Sequence, residues 1–165
     1  SEIASSCIDK ENLVDTCSCV NTQFCNFAKP HCGVCYACII RRIGMMVAGI
    51  DDSKKYRKDV FSNEEFPSSR LDNLTNLILF SAKFLNDDEK LPFYSQDIIR
   101  KYHKDQLFRR SSKDVLASLL LCKKNGVKNK FILSMYKKYG KTLSQEELEN
   151  RIEEVRACKF TPNYP

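Results

Sequence analysis

The sequence predicts a mainly α-helical protein in which a Cys-rich knuckle segment is followed by a helical, bundle-like extension. Three observations carry this expectation. Six of the nine cysteines, Cys17, Cys19, Cys25, Cys32, Cys35 and Cys38, fall within 22 residues near one end. From residue 40 onward, apolar residues recur at the three- and four-residue spacing of helices that bury one face, and no stretch alternates with period two for long. The periodic stretches close on Asn and Gly, which stop helices readily. The expected division is residues 1–50 as a Cys-rich metal-binding segment, 51–70 as a polar connection and 71–165 as a helical domain.

In chain order, a short helix is expected around Ile8 to Val14 in an otherwise turn-rich stretch. Cys38, Ile39, Ile40, Ile43, Met45, Met46 and Val47 form an apolar run around Arg41 and Arg42, read as a helix that leaves the cysteine cluster and ends near Gly49. Asp51 to Arg70, with Pro67 and many charges, reads as a connection. Leu71, Leu74, Leu77, Ile78, Phe80, Phe84 and Leu85 make the strongest helical pattern, closed by Asn86-Asp87-Asp88. A second helix is expected after Ser95, carrying Ile98, Ile99, Tyr102 and Leu107. Ser111 or Ser112, with Asp114 three residues after Ser111, is read as opening a third through Val115, Leu116, Leu119, Leu120 and Leu121, stopped by Asn125-Gly126. Val127 to Tyr139 is the fourth, ended by Gly140. Ser144-Gln-Glu-Glu147 has the form of a capping box and opens a fifth from Gln145 to about Arg156. The Leu, Met and Phe stripes of these helices are expected core.

Composition bounds the possible functions. A chain of 165 residues suffices for one domain, or for a small module joined to a larger one, but not for two large enzyme domains. With 42% hydrophobic and 29% charged residues it reads as globular rather than disordered. No apolar run is long enough for a membrane span, since Leu71 to Leu85 is interrupted by Asp72, Asn73, Thr75, Asn76, Ser81 and Lys83. The chain opens at Ser1 with neither Met nor a basic-then-apolar leader, which suggests a processed or excised chain with an upstream region. The net charge of +6 is regional: residues 98–141 hold 13 Lys or Arg against two Asp. That field suits phosphates, although charge on helical faces is commonly only solvated.

The cysteines carry the chemistry. Crowded at one end of a helical chain, they fit a metal site in a reducing, cytoplasmic compartment better than a secreted disulfide framework. Cys32-Gly-Val-Cys35-Tyr-Ala-Cys38 sets three thiolates at three-residue intervals, so that a tight turn and the first turn of a helix aim them at one point. Gly33 suits the turn because it tolerates positive φ. Zinc takes four ligands in a tetrahedron, about 2.3 Å away for sulfur, so the fourth must be Cys19, Cys17, Cys25 or His31. His31, adjacent to Cys32, is poorly placed to reach the same ion and is expected on the rim. An iron–sulfur cluster is the rival, because C-x2-C-x2-C also opens the bacterial ferredoxin run, but Arg42 stands where that run places its next Cys. A four-Cys zinc site has no catalytic vacancy and reads as structural. Its net charge of about −2 could be offset by Arg41, Arg42 and Lys29.

No nucleotide-binding glycine loop, H-E-x-x-H helix, G-x-S-x-G elbow or deaminase signature is present. No self-contained active site can be assembled from this sequence.

Thr16-Cys-Ser-Cys19, a loop, then Cys32-Gly-Val-Cys35-Tyr-Ala-Cys38-Ile-Ile-Arg41-Arg42 resembles the C-terminal zinc-binding segment of the 7-cyano-7-deazaguanine synthase (QueC-like) family, most nearly the divergent QueC-like proteins of bacterial anti-phage defence operons. The resemblance covers about residues 7–50. The loop from Cys19 to Cys32 is longer than in the housekeeping synthase, Cys17 and Cys25 are extra, and the helical tail has no counterpart there. The resemblance implies Cys19 as the fourth ligand of a structural Zn²⁺, with Cys17 or Cys25 as substitutes, and makes Arg41 and Arg42 possible substrate or phosphate contacts.

It further implies that the chain is a non-catalytic C-terminal part of an ATP-dependent ligase. An upstream PP-loop domain with Ser-Gly-Gly-x-Asp-Ser would bind ATP and Mg²⁺, adenylate a carboxylate and form amide and nitrile on a deazapurine-type substrate. That domain, and other defence-operon proteins, would be its partners. The alternative is a stand-alone zinc-dependent adaptor or nucleic-acid-binding module, using a basic helical surface built by Arg100, Lys101, Lys104, Arg109, Arg110, Lys123, Lys124, Lys128 and Lys130.

Overall fold

The computed structural model describes residues 19–21, 23, 26–86 and 104–157. Five α-helices lie among them: α1 Tyr36–Val47, α2 Ser68–Asn86, α3 Lys104–Lys124, α4 Lys130–Tyr139 and α5 Gln145–Ala157, with a 3₁₀ turn at Ser53–Lys55. The protein is mainly helical, as the periodicity predicts, and among the described residues no strand forms beyond an isolated parallel bridge between His31 and Tyr56. The helix expected at Ile8 to Val14, most of the one expected after Ser95, and Cys17 and Cys25 lie outside the described residues.

α3 is the central helix, packed against each of the other four. Its Leu116, Leu119 and Leu120 meet Leu74 and Ile78 of α2, Ile39 and Val47 of α1, Ile132 of α4 and Leu148 of α5 in one buried cluster. The apolar face of α1, which begins at the cysteine knuckle, is therefore part of the same core as the helical extension. Residues 51–67, read from the sequence as a polar connection, add Val60 and Phe61 to this core and bury Asp52 and Tyr56.

Ser111 does not begin a helix. α3 runs unbroken through it, and Asp114, the residue that would complete the capping signature, instead makes a two-point ion pair with Arg151 of α5 (Nε to Oδ1 2.7 Å, Nη2 to Oδ2 3.2 Å). Packing overrides the local signal: the Phe108 ring, one turn earlier, lies 6.4 Å from Phe80 and 6.2 Å from Phe84 of α2, so the buried face of α3 extends N-terminal of Ser111. α4 likewise starts at Lys130 rather than Val127.

The other helix ends follow their signals. Gly49 and Gly126 take φ of 75° and 71° and close α1 and α3 in Schellman turns, with Ile50 N–H donating to Met45 O (2.8 Å) and Val127 N–H to Cys122 O (2.9 Å). Ser144 and Glu147 form the reciprocal capping box, Glu147 N–H donating to Ser144 Oγ (3.1 Å) and Ser144 N–H to Glu147 Oε2 (2.8 Å). The accepted bonds hold the exposed Glu147 carboxyl below its ordinary range. Asn129 caps α4 by accepting from Phe131 N–H (3.0 Å) and Ile132 N–H (3.2 Å), while its Nδ2 donates to Glu64 O (2.6 Å). These two caps predict different losses in urea unfolding. Ser144→Ala is expected to cost ~1 kcal/mol, whereas Asn129→Ala, buried and tied to a second segment, is expected to cost about 2 kcal/mol.

Candidate metal centre

The knuckle is built by backbone geometry. Cys32 opens a tight turn, Gly33 takes φ 84°, and Cys35 has extended φ/ψ at the N-terminus of α1, its carbonyl accepting from Ile39 N–H (3.0 Å). Cys38 follows within the first turn of α1 and is fully buried. A Cβ at position 33 would land on the Lys58 carbonyl, so this glycine is required twice, by its φ and by the close approach of the 51–63 segment. Gly33→Ala is accordingly expected to displace Lys58 from the knuckle and lower metal affinity at least tenfold, a loss of about 1.4 kcal/mol, measured by chelator competition.

The structure brings Cys19, Cys32, Cys35 and Cys38 together: all four are buried and their sulfurs lie within 4.8 Å of one another. The Cys32 and Cys38 sulfurs are 3.9 Å apart. Four sulfurs about 2.3 Å from one ion sit about 3.8 Å apart in a tetrahedron, so the cluster can hold a metal ion with little rearrangement. Cys32 N–H donates to Cys19 Sγ and Cys35 N–H to Cys32 Sγ, each at 3.4 Å, and the Asn21 amide approaches Cys32 Sγ at 3.8 Å. These donors are what thiolates need. Burial alone would push the Cys32 thiol up, yet the N–H groups of Val34 and Cys35 hold it down to about 7. Cys38 is pushed far above the ordinary thiol value, first by burial and then by the neighbouring sulfurs. A cation held among these sulfurs would stabilise their thiolate forms.

His31 is not among the four, and it does not sit on a rim. It is fully buried, its ring 4.9 Å from that of Tyr56, because His31 N–H donates to Lys55 O (3.2 Å) and Arg57 N–H to His31 O (2.8 Å) in the parallel bridge. The bridge fastens the 53–57 segment to the residue before Cys32.

Arg41 and Arg42, three and four residues beyond Cys38, enter an ion-pair network. Arg42 Nη1 donates to Asp52 Oδ1 (2.9 Å) and Arg42 Nε to Asp59 Oδ2 (3.0 Å), while Arg41 Nε lies 3.5 Å from Asp52 Oδ2. Tyr56 Oη donates to Asp52 Oδ2 at 2.9 Å, and burial followed by the Asp52 carboxylate pushes the phenol above its ordinary value. Sequence reasoning missed Asp52, Tyr56 and Asp59. Two arginines beside a cysteine cluster need carboxylates within reach, and Asp51, Asp52 and Asp59 follow directly; that was the available signal. Cys122, the remaining described cysteine, lies apart from the cluster, and burial pushes its thiol up to about 12. No family model, curated protein or solved structure matches this chain.

Proposed function

We propose that Cys19, Cys32, Cys35 and Cys38 hold one zinc ion in a closed structural site, and that the chain is the zinc-stabilised C-terminal part of a QueC-like ATP-dependent ligase. The observation that supports the reading most is the buried four-sulfur cluster, in the order and spacing on which the resemblance rests. With four protein sulfurs the ion keeps no open position, so its contribution is to folding. Zinc is favoured over an iron–sulfur cluster because the sulfurs stand at the separation of a single tetrahedral ion.

In this reading adenylation of a carboxylate, with ATP and Mg²⁺, belongs to a PP-loop domain elsewhere in the protein, which works in the cytoplasm with other defence-operon proteins. The ion pairs of Arg41 and Arg42 with Asp52 favour an internal role for both over contact with substrate. The test is isolation of the native polypeptide from its source cells, followed by an ATP–pyrophosphate exchange assay. A polypeptide tens of kilodaltons heavier than 19.1 kDa that carries the PP-loop and exchanges pyrophosphate is expected. A native polypeptide of this mass without ATP binding overturns the ligase reading and leaves a stand-alone zinc-dependent module.

A further inference from the structure

Residues 115–145 hold seven Lys and neither Asp nor Glu. They cover the second half of α3, all of α4 and the turns on either side of α4. The outer side of α4 presents much of this charge. Ile132 is fully buried on the inner side, whereas Lys130, Leu133, Ser134 and Lys137 are exposed on the opposite one, and Lys138 and Lys141 are exposed as well.

The chain's own groups engage some of these lysines. Lys124 is neutralised by Glu149 at 2.6 Å. Lys130 stands 3.9 Å from Glu65, but the two side chains are 91% and 71% exposed, and a pair so open to water is worth little. Lys123 lies over the Tyr136 ring, 4.7 Å from its centroid, and Lys138 over the Tyr139 ring at 5.0 Å. A ring holds a cation in place without cancelling its charge. Among the described residues, Lys128, Lys137 and Lys141 make no ion pair.

Helix dipoles account for a share of the pattern, since Lys123 and Lys124 stand in the last turn of α3 and Lys137 and Lys138 in that of α4. Lys130 is the opposite case: it is the first residue of α4, where the dipole opposes a cation. Like charge gathered on one face repels itself and costs stability, which an external polyanion relieves.

The shape of the face selects the polyanion. Lys130 and Lys137 are about 10 Å apart along a rigid helix, and a duplex offers one phosphate charge for about every 1.7 Å of its own rigid axis. A single strand is held by stacking unpaired bases on bare rings, but Tyr136 and Tyr139 are half-buried beneath lysines. A peripheral membrane helix inserts its apolar side into lipid, and that side of α4 is turned into the core at Ile132. All seven cations are Lys, point charges suited to phosphates rather than to the bidentate reading of base edges.

We infer that the outer face of α4 docks on the phosphodiester backbone of a nucleic-acid duplex, without regard to sequence, through Lys130, Lys137 and Lys141. The inference goes beyond the ligase reading and does not depend on it.

The test uses the purified chain with its metal and fluorescence anisotropy on labelled DNA and RNA duplexes of about 20 base pairs, titrated with salt. The combined Lys130→Ala, Lys137→Ala and Lys141→Ala variant is expected to bind at least about 30-fold more weakly and to flatten the log–log salt slope by about 2 to 3. Lys29→Ala, Lys54→Ala and Arg70→Ala together remove the same net charge from the knuckle side and are expected to change affinity by less than about threefold. A scrambled duplex is expected to bind within about twofold of the first, and a single strand of equal length at least about threefold more weakly. Binding of either duplex with these properties supports the inference, and the tighter of the two identifies the source. Metal content and circular dichroism confirm that each variant is folded. Absence of duplex binding at low salt overturns the inference. So does equal loss from the two triple variants, preference for the single strand, or tighter binding to phosphatidylserine vesicles or polyglutamate than to either duplex. None of these outcomes touches the metal site or the ATP assay, so failure here and failure of the ligase reading remain distinct.

Discussion

Cys35→Ser is expected to release the metal and to abolish hydrogen-exchange protection over residues 31–38, while the amides of Leu116, Leu119 and Leu120 remain protected. The reasoning begins with position. Cys35 is both the N-terminal boundary of α1 and the central thiol of the C-x2-C-x2-C run, with its N–H donated to Cys32 Sγ. Zinc bound to four thiolates contributes on the order of 10–16 kcal/mol of apparent binding energy, comparable to the whole stability of an ordinary domain. Among the described residues the small cluster at this end consists of the cysteines themselves and Tyr56, with Val34 and Ala37 packed against them. The cluster around α3 has its own buried residues from α2, α4 and α5 and retains a folded remainder. Cys122→Ser is the control: its thiol is buried against Phe61 O at 4.0 Å, distant from the ligands, and metal content is expected to stay unchanged. Equal metal loss from both variants would remove the ligand assignment.

Asp52→Ala is expected to destabilise the protein by about 3 kcal/mol in urea unfolding, with α1 and the 51–63 segment separating first. The Asp52 side chain has no exposed surface and accepts from Arg42 Nη1 and Tyr56 Oη, both at 2.9 Å. Its removal takes one carboxylate from two largely buried guanidinium groups and the acceptor from a phenol, a loss far above that of a surface ion pair. Asp59 still pairs with Arg42, which sets the expected effect near the lower end of the range for broken buried pairs. Arg42→Met combined with Asp52→Ala should therefore cost less than the sum of the single substitutions by at least about 1 kcal/mol. Strict additivity would mean that the pair does not fasten α1 to this segment.

How much could be read in advance varied with the range of the interaction. Among the described residues, helix existence followed from local periodicity, and the ends at Gly49, Gly126 and Gly140 and the box at Ser144 from local chemistry, so these were legible. The start of α3 was not. Ser111-x-x-Asp114 imitates a cap, and only the contact of Phe108 with α2 and the reach of Arg151 to Asp114 show otherwise. The spacing of Cys32, Cys35 and Cys38 indicated a common centre, because a turn and one helical turn suffice to converge them. The choice among Cys19, Cys17 and Cys25 depended on a loop with no periodicity, and there the resemblance, not the spacing, pointed to Cys19. The 51–67 segment was illegible for a related reason: its charges suggest solvent, yet Asp52 is buried because Arg41 and Arg42 approach it from a helix ten residues away. Buried ion pairs between segments leave no periodic mark in the sequence.

The most direct test of the central claim is native mass spectrometry of the purified chain with element-specific metal analysis. The account predicts one zinc per chain in a colourless protein, retained on buffer exchange, absent from Cys35→Ser and present in Cys122→Ser. A folded chain that carries no metal and whose four clustered thiols react freely, or one that carries iron with labile sulfide, would contradict it.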